Sequence, residues 1–231
     1  MKICATTLGE TAGDLFSMTL NIGYAVSSII LISLFFVSLV SQLASKNYNP
    51  LLYWTVILTT STAGTTMSDF IDRTLGLGYA KGSFILLTLL LAILAFWRFK
   101  IGSLSVNNVK SLKVELVYWS AILVSNTLGT ALGDFLADDS GLGFAGGALL
   151  ISTLIGLVIA ATFYTSISRV LLFWVAFVLT RPLGATVGDL LTKTHEKGGF
   201  GFGTIGSSLV LATILVFFVL LTTRKRPVVR S

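Results

Sequence analysis

The stretch Gly129-Thr130-Ala131-Leu132-Gly133-Asp134 decides how this chain folds, because it recurs. The same frame reads Gly9-Glu10-Thr11-Ala12-Gly13-Asp14, Gly64-Thr65-Thr66-Met67-Ser68-Asp69 and Gly184-Ala185-Thr186-Val187-Gly188-Asp189. In each copy a glycine stands five residues before an aspartate, with Gly or Ser immediately before the acid. Nine residues after the first three aspartates comes a Gly-aromatic pair: Gly23-Tyr24, Gly78-Tyr79 and Gly143-Phe144. The fourth copy is expanded around 193–197 before Gly201-Phe202. Aromatic pairs lead into copies two to four: Tyr53-Trp54, Tyr118-Trp119 and Phe173-Trp174. The aspartates are 55, 65 and 55 residues apart, so copies one and three, and copies two and four, are each separated by 120. That spacing is the mark of a repeat duplicated twice.

Composition sets the solvent in which these repeats fold. The 231 residues hold ten acidic and sixteen basic groups, 54% apolar residues and a mean hydropathy of +0.90. Charged residues make up 11%, against about 25% in a soluble domain. A soluble enzyme, a secreted disulfide scaffold and a disordered tail are all excluded as descriptions of the whole chain. The net charge of +6 does not point to nucleic acid. Its cations cluster at Arg98–Lys113 and in the tail at Arg224, Lys225, Arg226 and Arg230, beside apolar runs, as in membrane proteins. Cys4 stands alone and makes no internal disulfide, and no cleavable signal peptide is evident.

Each repeat has room for two membrane spans, since one span takes roughly 20 residues. The odd spans carry the Gly-Asp motif near their end, around 2–19, 51–72, 114–137 and 170–192. The even spans are plainer apolar runs around 24–44, 80–99, 144–165 and 204–222. The expected fold is therefore all-α: a polytopic membrane bundle of about eight helices in four parallel two-helix repeats. One membrane domain is expected, with repeats near 1–48, 49–110, 111–167 and 168–223 and a basic tail at 224–231. Ten cations and the single acid Glu115 fall on one side, while the side holding Asp72, Arg73, Lys81, Asp138 and Asp139 nearly balances. The basic side should be cytoplasmic, with both termini inside. The aromatic pairs that open the odd spans would then form a belt at the cytoplasmic interface.

Stepping back by four and eight from each aspartate gives one helix face. The four stripes are Thr6/Glu10/Asp14, Ser61/Thr65/Asp69, Asn126/Thr130/Asp134 and Arg181/Ala185/Asp189. Thr11, Thr66 and Thr186 lie three residues before their acids, near the same face. Such groups avoid lipid, so the stripes should converge inside the bundle. Carboxylates and hydroxyls are hard ligands suited to Mg²⁺, Mn²⁺, Ca²⁺ or alkali ions. Glu10, Asp14, Asp69 and Asp134 are the candidate metal ligands, and Glu10 is the candidate proton carrier. Arg181 is either a tethered counter-ion or the permanent partner of one aspartate, and it opposes a symmetric open pore. The competing interpretation is structural: each Asp pins its own helix end while the glycines allow close helix contact.

Other features are plain. His195 lies in a polar loop, and the lack of a second histidine excludes a His-based zinc centre. Gly141-Leu142-Gly143 and Gly201-Phe202-Gly203 are turns, and no nucleotide-binding or nucleophile-elbow motif is present.

The segments 2–11 and 179–189, with Tyr118-Trp119 and 128–134, resemble a bacterial family of uncharacterised membrane-anchored proteins. The resemblance spans essentially the whole chain, and Thr180-Arg181-Pro182-Leu183-Gly184-Ala185 is its most specific run. It implies a bacterial inner-membrane protein of repeated helical hairpins and carries over no catalytic or transport residue. Relatives have an aromatic lead-in before the stretch matching Lys2-Ile3, so the first helix here is expected to be short, through a late-assigned start or a truncated span.

The functional expectation is a transporter for a small cation, above all a divalent metal such as Mn or Mg, with protons as a possible coupling species. The alternative is a non-transporting scaffold or accessory subunit. No enzymatic activity, resident cofactor or nucleic-acid partner is expected. The bilayer is the expected surrounding, and any bound divalent cation would be substrate.

Overall fold

The computed structural model describes residues 1–45, 49–101 and 112–224. Lys46, Lys110, Lys225, Arg226 and Arg230, five of the ten cations of the basic side, lie outside the described residues. Among the described residues eight α-helices follow one another: α1 (Lys2–Asp14), α2 (Tyr24–Ala44), α3 (Pro50–Asp69), α4 (Tyr79–Ile101), α5 (Leu112–Asp134), α6 (Gly143–Tyr164), α7 (Arg169–Thr192) and α8 (Thr204–Arg224). Asn49 caps α3 by accepting from the backbone of Leu51 at 2.9 Å, and Pro50 stands at its first turn, where no N–H is needed.

The odd helices form a closed inner ring, α1 against α3, α3 against α5, α5 against α7 and α7 back against α1. Each even helix packs outside on the odd helix of the following repeat: α2 on α3, α4 on α5, α6 on α7, and α8 returns to α1. The repeats thus interlock in a circle, with all four motifs pointing the same way. The motif glycines set the closeness of this ring. A Cβ at Gly9, Gly64, Gly129 or Gly184 would collide with Ser61, Asn126, Arg181 or Thr6 respectively, the same position in the next repeat each time. Small residues at a helix contact let backbones approach in this way.

Among the described residues, six of the eight helices are long and apolar enough to cross a membrane. The two that fall short have physical reasons. Helix α1 has 13 residues. Helix α3 has 20, but Thr and Ser fill most of 59–66 and most of those side chains are buried inward, where lipid never meets them. The outer faces are the reverse: Phe84 is 72% exposed, Leu149 70% and Val37 65%. Exposing such side chains to water forfeits roughly 1.5–3 kcal/mol each, so this surface belongs in lipid.

The aromatic lead-ins are divided between core and surface. Trp119 and Trp174 are buried, and Trp97 of α4, fully buried, packs edge-on against Tyr118 and Trp174 at centroid distances of 6.2 and 5.6 Å. The even helices overlap the start of the next odd helix there, so Tyr118, Trp119 and Trp174 face protein, whereas Phe173 is 40% exposed. Together with Ile57, Ile122 and Phe177 they make an apolar core at the end of the bundle opposite the aspartates.

The aspartate end is built differently. In the first three repeats the helix continues past its aspartate as five π-helical residues: Leu15–Thr19, Phe70–Thr74 and Phe135–Asp139. Such wide turns are uncommon and gather at functional sites. In the fourth repeat α7 stops, and the expanded loop folds back over its end. Gly201 donates to the Lys193 carbonyl at 2.9 Å and Phe202 to that of Leu191 at 3.0 Å. The glycines of the two expected turns, including Gly141 and Gly201, take positive φ.

Candidate cation site

The stripes converge as three layers across the ring. In the aspartate layer, Asp14, Asp69, Asp134 and Asp189 are each at most 4% exposed. One layer deeper lie Glu10, Thr65, Thr130 and Ala185. Deeper still lie Thr6, Ser61, Asn126 and Arg181, below which the apolar core begins.

Arg181 occupies the middle of the deepest layer. Its guanidinium donates to the backbone carbonyls of Thr6 at 2.7 Å, Ser61 at 3.0 Å and Asn126 at 3.2 Å, the equivalent position of each other repeat. It also donates to the hydroxyls of Thr65 and Thr130, and pairs with Glu10 Oε2 at 3.2 Å. Its ion-pair partner is thus a glutamate; the side chain reaches one layer toward the aspartates and meets Glu10 first. Thr65 and Thr130 each donate to the same Glu10 oxygen at 3.1 Å. Ala185 completes the layer with no polar group.

Two further cations hold the aspartate layer. Lys193 Nζ lies 2.7 Å from Asp14 and 3.0 Å from Asp189. Arg73 lies 3.0 Å from Asp69 and 3.3 Å from Asp134, and donates to the Tyr24 hydroxyl at 3.1 Å. Both stand four residues after an aspartate, where repeats one and three carry Met18 and Asp138. Sequence reasoning assigned them to the outer loops, although continuing the four-residue step past each acid would have found them. Burial opposes the charge on Lys193, but Asp189 and Asp14 more than offset it and hold the ammonium above the ordinary lysine range.

The cations therefore bridge repeats four and one, and two and three. Among the described residues no cation bridges the aspartates of repeats three and four, and Glu10 enters from the layer beneath. There Glu10, Asp134 and Asp189 each offer an oxygen, all within 4.8 Å of one another, and all three residues are buried. Hard oxygens at that spacing suit a small cation. Across both layers, five carboxylates face Arg181, Arg73 and Lys193, which leaves two negative charges when every group is ionised.

Some expected residues take other places. Asp14 and Asp69 are ring members held by Lys193 and Arg73 and lie outside the group of three. Asn126 contributes its backbone carbonyl to the site. Thr11, Thr66 and Thr186 bond carbonyls of their own helices, Leu8, Ala63 and Pro182 among them, and Thr11 also meets Ser208 at 2.9 Å. Three residues back lies about 60° off the aspartate face, and threonine there bonds the preceding turn. Asp72, placed in a loop by its charge, is 4% exposed and accepts from Ser68 at 3.2 Å. His195 is exposed, in a short 3₁₀ turn.

Fold and site together define a helical bundle of membrane-spanning character, built from four repeats around a buried ionic core. The chain belongs to the family described as Repeat of Unknown Function (DUF347), whose profile matches residues 1–48, 52–101, 117–168 and 172–227. No curated protein and no solved structure matches the chain.

Proposed function

We propose that the protein is a bacterial inner-membrane transporter that moves a small cation, with Mn²⁺ or Mg²⁺ as the expected cargo, and has no enzymatic activity. One observation carries this reading: the oxygens of Glu10, Asp134 and Asp189 lie within 4.8 Å of one another in the buried centre of the bundle. Intramembrane acids that face a bundle interior mark ion pathways by default. The cargo enters from the aspartate end, where Arg73 and Lys193 retain 28% and 17% side-chain exposure. The apolar core at the other end closes the axis, so passage requires a rearrangement rather than a standing pore. On this reading the aspartate end faces outward and both termini lie in the cytoplasm.

The scaffold alternative has its own support, since Glu10 and all four aspartates already hold a cationic partner from within the chain. Metal sensitivity of cells producing the native protein, Asp14→Asn or Asp134→Asn separates the two. The transporter reading expects altered Mn²⁺ or Mg²⁺ accumulation with the native protein and loss of that effect with Asp134→Asn. Identical accumulation in all strains, at equal protein levels, supports the scaffold.

A further inference from the structure

Each ligand of the candidate site is already engaged by a cation tethered to the chain: Glu10 by Arg181, Asp134 by Arg73 and Asp189 by Lys193. A diffusible cation that binds there must take the place of at least one of them. The three differ in how firmly they are held. Arg181 is 1% exposed and its fork is fixed by carbonyls of three helices. Arg73 also bonds the Tyr24 hydroxyl and lies over the rings of Tyr24 and Tyr79 at 5.8 and 5.6 Å.

Lys193 has no comparable clamp. Among the described residues, the polar contact of its ammonium beyond the two carboxylates is Met18 Sδ at 3.9 Å. It stands just past the end of α7 in extended conformation, and its four-carbon stem carries a single donor atom toward the exposed rim. Its backbone is anchored by the folded loop, through Gly201, so the side chain can swing while the main chain stays.

We infer that Lys193 is an exchangeable internal cation: its ammonium occupies the aspartate layer when cargo is absent and leaves for solvent when cargo binds. This rests on the cation-site reading and adds the competitor that the cargo displaces. In both states a cation stands beside Asp189, as a buried carboxylate requires. A site filled by its own competitor most of the time shows an apparent Kd raised by the inverse of its vacant fraction.

The test uses purified full-length protein and Mn²⁺ as the probe. Lys193→Gln is expected to bind Mn²⁺ at least about tenfold more tightly than the native chain, from a competitor present more than nine-tenths of the time. Lys197→Gln, an exposed lysine of the same loop, should leave the affinity unchanged. In the native protein, saturating Mn²⁺ should speed modification of Lys193 by a small amine reagent, read by peptide mass, by a similar factor. Equal Kd in native and Lys193→Gln, or Lys193 reactivity unmoved by bound Mn²⁺, overturns the exchange while leaving the cation site standing. No Mn²⁺ binding by either protein overturns the site and the exchange together.

Discussion

Arg181 and Glu10, which lie 171 positions apart in sequence, meet at 3.2 Å at the centre of the helix ring, both buried. Breaking such a pair from one side leaves an uncompensated buried charge, which costs on the order of 3–5 kcal/mol. Arg181→Asn or Glu10→Thr alone should destabilise the detergent-solubilised protein by about that much. The double substitution Glu10→Thr with Arg181→Asn gives both layers the residue types of the other repeats and should recover most of the loss. Additive losses in a denaturant-unfolding cycle would show that the two residues act independently.

The motif glycines predict a second effect. At Gly64 a Cβ would meet the Asn126 backbone carbon at 2.9 Å, and at Gly184 that of Thr6 at 2.8 Å. Backbone cannot move aside as a side-chain tip does, so α3 must part from α5, or α7 from α1. Gly64→Ala and Gly184→Ala should each cost about 1–3 kcal/mol, as overpacking does. Gly156, with open space around it, should accept Ala without penalty. Thermal unfolding of the three variants checks this, and equal midpoints would contradict the packing described.

Trp97 discriminates core from interface. As a fully buried member of the aromatic cluster, its replacement by Ala should cost about 3–5 kcal/mol. A tryptophan in an interfacial belt would lose far less. Denaturant unfolding of Trp97→Ala measures the difference directly.

Lys193 makes a prediction in pH. Because Asp189 and Asp14 outweigh burial and raise its pKa in the folded state, its pairing is fully present below the unfolded lysine value of about 10.4. The contribution is lost only as pH rises through the still higher folded value. The difference in unfolding midpoint between the native protein and Lys193→Gln should therefore not shrink from about pH 7 to 10. A difference that shrinks across that window would place the ammonium outside the carboxylate pair.

The repeat and the four-residue step made much of this architecture legible in the sequence. The step from Asp134 to Thr130 to Asn126 traced the inner face, and the motif glycines marked the helix contacts. Lys193 and Arg73 were hidden because charge density near a span end looks like a solvated loop, whereas the π turn and the folded loop turn these side chains inward. Trp97 was hidden for another reason. It stands on an even helix, and only the offset packing of α4 on the following repeat brings it to Tyr118 and Trp174. The partner of Arg181 depended on side-chain reach between layers, which spacing along one helix does not encode.

Mn²⁺ uptake into proteoliposomes containing the purified protein tests most directly whether Glu10, Asp134 and Asp189 form the cargo site. Native protein should load vesicles above the protein-free control, and Asp134→Asn should cut the initial rate at least about tenfold at unchanged unfolding temperature, a loss of about 1.4 kcal/mol or more in the transport step. Uptake by Asp134→Asn equal to that of the native protein would contradict the account.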